Sequence, residues 1–306
     1  MSSNPTPQNE DILRALADRL ADGCHKYEAT IGIKQNTEAA IRAAIGGLVT
    51  ADLNLGLKKQ ARGDAYDALQ AADDAGAGTL MDCKLRLAQK LGNRWSNAWE
   101  PTGFPHQSTA IPDTQDERFA LLDSLKAYFT AVPANESAEM GATAATCGAA
   151  WTTLSDARQA VGDAETDFAD AQSARGSAVN TLRKRVRGLI AELGSLIEDD
   201  DSRYEGFGLN VPANPHAPEP VPGVTAEAPG AGKIEAAWEY AVRAERFRVE
   251  TLIVGVDTEF QRVGTFRDLS TTLKGFTAGQ TVKVRVIAAN DGGDAAPSPE
   301  ATVVVV

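Results

Sequence analysis

The chain has 306 residues, of which 43% are hydrophobic and 24% charged. That globular balance excludes a wholly disordered chain, a collagen-like fibre and a polytopic membrane protein. Lys and Arg number 30 against 42 Asp and Glu, a net charge of −12, which argues against nucleic-acid binding because phosphate neutralisation needs clustered cations.

The segment Met1 to Asp11 is polar and has no basic stretch followed by an apolar one, so no secretory leader is read. No uninterrupted apolar run approaches ~18 residues, so no membrane span is expected. These features predict a cytoplasmic protein, with export by a non-classical route as the alternative. Cys24, Cys83 and Cys147 are odd in number and far apart. They read as reduced, packed thiols rather than a disulfide framework.

The first helix begins near Asp11, with Ile12, Leu13, Leu16 and Leu20 at helical spacing. Gly23 and Gly32 bracket a predicted break. Asn36 or Thr37 can cap a second helix carrying Ile41, Ile45, Leu48, Leu55 and Leu69. Gly76-Ala77-Gly78 reads as a turn into a third helix with Met81, Leu85, Leu87, Leu91, Trp95 and Trp99. Pro101, Pro105 and Pro112 force irregular chain. Asp113 or Thr114 restarts a helix with Phe119, Leu122, Leu125 and Phe129, stopped before Pro133. A long helix is predicted from about Glu136 to Ile197, with alanine filling much of its remaining face. Small side chains favour closely spaced antiparallel helices.

Two landmarks recur. Ala61-Arg62-Gly63-Asp64-Ala65 is followed later by Ala174-Arg175-Gly176-Ser177-Ala178, and Trp99-Glu100-Pro101-Thr102-Gly103-Phe104 by Tyr204-Glu205-Gly206-Phe207. They suggest a duplicated helical unit, about 30–130 and 137–212, each closed by an aromatic-Gly-Phe element. Past residue 208 the composition shifts to Pro, Ala and Gly. The expected organisation is an all-α antiparallel bundle over 1–208, an extended Pro-rich linker at 209–219 and a β-sandwich over 220–306.

The β region carries ordered landmarks. Val221 to Thr225 reads as a first strand, Lys233 to Trp238 as a second with Trp238 in the core, and Phe247 to Glu250 as a third. Phe260 to Phe266, Thr272 to Phe276, Val282 to Asn290, and Ser298 with Thr302 to Val306 follow. In this order they resemble a fibronectin type III domain. The resemblance implies a spacer or protein-binding module and no reaction. The family usually has a tyrosine where this chain has Val282. The corner before that strand is therefore expected to be held by packing alone.

Motifs that could carry chemistry are few. Arg62-Gly63-Asp64 spells an integrin-binding tripeptide but falls in a helix, where Gly63 reads as a close helix contact. Cys24-His25, His106 and His216 lack metal-ligand spacing. Glu198-Asp199-Asp200-Asp201 opposes the helix macrodipole and reads as a solvated terminus, with Ser202 and Arg203 available to pair with it. Arg183-Lys184-Arg185 and Arg187 form the one basic cluster, read as a solvated face balancing Asp163, Glu165, Asp167 and Asp170, or as a contact for an acidic partner. Trp95, Trp99, Phe104 and Trp151 read as core. Their alternative is a sugar-stacking surface, since bacterial modules of this family often accompany carbohydrate enzymes. No catalytic, cofactor or metal residues are assigned, and no cofactor. The expectation is a non-catalytic structural or interaction protein that binds a protein partner or itself. The alternatives are a carbohydrate- or cell-surface-binding protein, or a subunit of a filament or phage-like particle whose Val303 to Val306 run pairs with a neighbour.

Overall fold

The computed structural model describes residues 4–306. An N-terminal helical region is followed by a C-terminal antiparallel β-sandwich. The helices are α1 (Glu10–Ile31), α2 (Glu38–Leu91), α3 (Gln115–Ala131), α4 (Ala144–Leu196) and the single turn α5 (Arg203–Gly206). The chain forms two compact units, Met1–Thr50 with Arg175–Val306, and Ala51–Ala174.

In the first unit, the Asn9 side chain caps α1 by accepting from the Ile12 N–H at 3.1 Å. Gly32, at φ 88°, ends the helix in the left-handed conformation that glycine adopts at no steric cost. Leu13, Leu16, Leu20 and Cys24 of α1 pack with Ile41 and Leu48 of α2 and with Leu182, Val186, Leu189 and Leu193 of α4. Tyr204 and Phe207 close this core. The expected break at Gly23 is absent, and α1 runs through it. A Cβ there would lie 2.3 Å from Phe207 Cδ1, so the glycine makes room for the closing ring.

In the second unit, Thr114 caps α3. Leu80, Cys83 and Leu87 of α2 pack with Leu121, Leu122, Leu125 and Phe129 of α3, Cys147 and Leu154 of α4, and the closing pair Trp99 and Phe104. The predicted turn at Gly76-Ala77-Gly78 does not form, and α2 continues to Leu91. Each glycine costs about 1 kcal/mol in a helix, but Leu80, Cys83 and Leu87 beyond them are fully buried and hold the helix in place. Trp95 and Trp99 leave the helix. Gly92, at φ +93°, follows its end. Trp99 sits in a 3₁₀ turn (Asn97–Thr102), where its Nε1 donates to the Gly92 carbonyl at 3.1 Å. The long final helix starts at Ala144 rather than near Glu136, because a 3₁₀ turn (Pro133–Asn135) and a Ser137–Ala142 bridge occupy the approach. Glu136 instead accepts from the Ala144 N–H at 2.7 Å.

When α2 and α4 are aligned from their first residues, Glu38 and Ala144, their buried positions coincide. Ile41 matches Cys147, Leu48 matches Leu154, Leu80 matches Val186, Cys83 matches Leu189 and Leu87 matches Leu193, all fully buried. In that register Ala61 meets Asp167, so the Ala-Arg-Gly-x-Ala motifs are not equivalent positions.

The sandwich, in the first unit, has one sheet in the order β1-β2-β5 (Val224–Gly230, Lys233–Trp238, Ser270–Lys274). The other has the order β4-β3-β6-β7 (Gln261–Phe266, Arg246–Ile253, Thr281–Asn290, Gly293–Asp294), with β8 (Ala301–Val304) also pairing β6. Trp238 lies in the core with Phe247, Val249, Val282, Val284 and Val286. The corner before β6 is not held by packing alone. The Gly279 N–H donates to the Val305 carbonyl at 2.8 Å, and the Thr277 N–H to the Gln280 side chain at 2.8 Å.

The Pro-rich segment carries anchored residues. Leu209, Asn210 and Val211 are buried. Asn210 donates its N–H to Asn4 and accepts at its side-chain oxygen from Asn290 Nδ2 at 3.0 Å. That same amide nitrogen reaches the carbonyls of His216 at 2.8 Å and Arg243 at 3.0 Å. Asn290 Oδ1 accepts from the Gly292 N–H at 2.8 Å. A Cβ at Gly292 would stand 2.4 Å from the Pro215 carbonyl oxygen, so the two segments touch backbone to backbone. Ile12 of α1 completes the joint by packing into the sandwich core.

Candidate functional site

The motifs read from sequence are spent locally. Arg62, Gly63 and Asp64 lie inside α2, with the Arg62 guanidinium over the Phe168 ring at 4.1 Å. Gly63 is not a close helix contact, since nothing lies within 4 Å of a Cβ placed there. Cys24 and His25 diverge. The Cys24 thiol is buried and faces the Asn36 carbonyl at 3.6 Å, and burial pushes its pKa up to about 12. His25, His106 and His216 each pair with a separate glutamate, Glu38, Glu117 and Glu205, at 2.8–2.9 Å. Among the described residues no three His, Cys, Asp or Glu side chains gather to hold a metal ion. Asp201 is gripped by Arg203, whose side chain and N–H hold its carboxyl below the usual range.

Arg183 and Arg185 donate to the carbonyls of Gln8 and Gln35 at 3.2 Å. In the other unit, Asp167 pairs with Lys58 and Glu165 accepts from Tyr66. Trp99 and Phe104 are buried edge to face, with ring centroids 5.4 Å apart. Trp151 stacks on Phe119 at 5.1 Å, so these rings pack against each other rather than forming an open platform. The C-terminal valines are also engaged. β8 already pairs with β6, and Val305 is buried while Val304 and Val306 are exposed. Among the described residues, α2 alone is long and apolar enough to cross a membrane by length and composition.

Polar groups inside the helical units make structural bonds. Asn36 and the N–H groups of Lys34 and Gln35 donate to the Glu192 carboxylate at 2.8–3.0 Å. Burial opposes ionisation of Glu192, but the N–H groups of Gln35, Lys34 and Asn36 and the Asn36 amide outweigh it and hold its pKa below the usual range. Asp73 takes a two-pronged contact from Arg118, which also donates to the Pro112 carbonyl at 2.9 Å. Thr102 Oγ1 donates to the Trp99 carbonyl.

The outer face of β1-β2-β5 offers a surface for contact. It presents a shallow groove of about 320 Å³ lined by Thr225, Glu227, Glu235, Ala237, Ser270 and Thr272 among others. Register places Thr225 beside Ala237 and Ala237 beside Ser270 in one row, and Glu227 beside Glu235 and Glu235 beside Thr272 in the next. All six are exposed, and none is larger than glutamate. Two carboxylates directly opposite on adjacent strands repel, and among the described residues neither has a cationic partner. Strand alternation predicts which side chains point outward, but the pairing that sets the two glutamates side by side is a long-range fact.

No protein-family model matches the chain, and no curated protein matches it. Solved structures similar to the C-terminal strand region are fibronectin type III domains. FN3tt mut is 16% identical over 29% of this chain and 96% of its own, with a TM-score of 0.27. An Fn3-like protein from Clostridium thermocellum is 20% identical over 30% of this chain and 95% of its own, at 0.26. "Titin kinase and its flanking domains" is 21% identical over 29% of this chain at 0.28, and this chain spans 17% of its length.

Proposed function

We propose that the chain is a non-catalytic structural and protein-interaction component. Its helical region is a duplicated unit used for assembly or partner contact, and its fibronectin type III module is a recognition element. The observation that carries this reading is how the buried polar side chains of the helical units are used. Asn36 donates to the Glu192 carboxylate of α4, Asp73 accepts from Arg118 and Thr102 donates to the carbonyl of its own turn, each within one unit. The fixed joint at Asn290 supports the recognition role, because an anchored module presents one face in a constant direction relative to α1. The groove on β1-β2-β5 suits a partner that brings a basic side chain between Glu227 and Glu235.

The test is affinity capture by the full chain, compared with Glu235→Lys. The reading expects partners that are lost on this charge reversal and released by salt. Turnover of a substrate that disappears on a single polar substitution within the helical region would overturn it.

A further inference from the structure

In the second unit, Cys83 of α2 and Cys147 of α4 face each other with their sulfurs 3.4 Å apart, inside the apolar core and with no exposed surface. Sulfurs at that separation need to close by only about 1.4 Å to reach disulfide bonding distance. A second observation points the same way. In the register that aligns α2 with α4, Cys147 matches Ile41 and Cys83 matches Leu189. Ile41 and Leu189 share the hydrocarbon core of the first unit. The same two positions therefore hold two aliphatic side chains in one unit and two thiols in the other. Packing alone asks for no such paired change, because aliphatic residues already fill these positions well.

We propose that Cys83 and Cys147 form a reversible disulfide, a redox-controlled clamp on the second unit. The oxidant is a small-molecule disulfide such as oxidised glutathione. The thiolate of one cysteine attacks the glutathione disulfide, giving a mixed disulfide and releasing one reduced glutathione. The thiolate of the other cysteine then attacks the protein sulfur of that mixed disulfide. This forms the Cys83–Cys147 bond and releases the second reduced glutathione. Two protein thiols are oxidised, one glutathione disulfide is reduced, and the two protons pass to the departing thiolates. Both sulfurs are enclosed, so exchange takes place while the unit folds or opens locally. The bridge joins residues 64 apart in sequence, with all of α3 between them. Closing so long a loop restricts the unfolded chain and raises stability. Cys24 lies in the other unit against the Asn36 carbonyl and has no thiol neighbour among the described residues, which makes it an internal control.

The full chain is unfolded, then refolded in buffers of graded oxidised-to-reduced glutathione ratio so that burial cannot block exchange. It is then denatured with excess alkylating agent and weighed intact. The expected result is a species two hydrogens lighter carrying one alkyl group, on Cys24, and a digest that yields a peptide linking Cys83 to Cys147. Its thermal midpoint should stand several degrees above that of the reduced protein. Cys24→Ser should keep the bridge, and Cys83→Ala, Cys147→Ala and their double variant should each abolish it. Three alkylated thiols at every ratio, or a bridge that uses Cys24, would overturn the proposal.

Discussion

The two helical units answer the same structural problem with different chemistry. In both, a short helix packs on two long ones and an aromatic-Gly-Phe element adds its rings to the core. In the first, α1, α2 and α4 meet mainly through leucine, isoleucine and valine, with the single thiol of Cys24 among them. In the second, the interior also holds a thiol pair and the Asp73–Arg118 ion pair. The loop clasps differ as well. Glu192 of α4 accepts three N–H groups from the α1–α2 loop. Its counterpart in the aligned register, Arg86 of α2, donates to the carbonyls of Asn135 and Glu136 in the α3–α4 loop, both at 3.0 Å. One clasp gathers donors with an anion and the other gathers acceptors with a cation. Either satisfies backbone groups that a tight turn leaves exposed to desolvation. The lesson is that burial pattern fixes the plan, and the identity of the polar group is free to vary if its partners vary with it.

The sharpest break in this comparison is Asp73→Ala. It strands the Arg118 guanidinium in a buried site and should cost about 3–5 kcal/mol. Denaturant unfolding followed by tryptophan fluorescence reads it directly, because Trp95, Trp99 and Trp151 all lie in the second unit. Asn290→Ala tests the joint that only the first unit has. It removes one amide nitrogen with three acceptors and should cost about 3 kcal/mol. Hydrogen exchange should rise at 209–217 while the helical cores stay protected.

Acid separates the two clasps. Glu192 is held below its usual pKa, so its contribution is complete above the unfolded value and fades as the pH falls through the lower folded one. Glu192→Gln should lose about 2 kcal/mol at pH 7 and show a flatter stability profile between pH 5 and 3. Arg86→Gln should lose a pH-independent amount over that range, because guanidinium stays charged. The smallest effect is a gain. Gly63→Ala meets open space on a helix and should stabilise the second unit by about 0.5–1 kcal/mol. A loss there would mean that something packs on that face.

Helix existence, the longer strands from Lys233 onward and the Trp238 core are legible in sequence, because each is written in local periodicity, whereas the two-residue strand Gly293–Asp294 is not. The apparent turn at Gly76–Gly78 misled because glycine reads as a breaker until the leucines downstream are known to be buried. Trp95 and Trp99 misled because spacing alone cannot tell a helical face from a 3₁₀ turn after Gly92. The thiol pair, the Glu192 and Arg86 clasps and the Asn290 hub join residues between about 50 and 160 apart in sequence. No window of local pattern contains them.

The proposed function rests on polar groups inside the helical units being used to hold the fold. The most direct test is the double variant Asp73→Leu/Arg118→Met, which replaces the buried ion pair with hydrocarbon of similar size. The account predicts unfolding at the same denaturant concentration or higher, with partner capture unchanged. A variant that folds as well as the parent but loses partner binding, or loses any turnover, would contradict it.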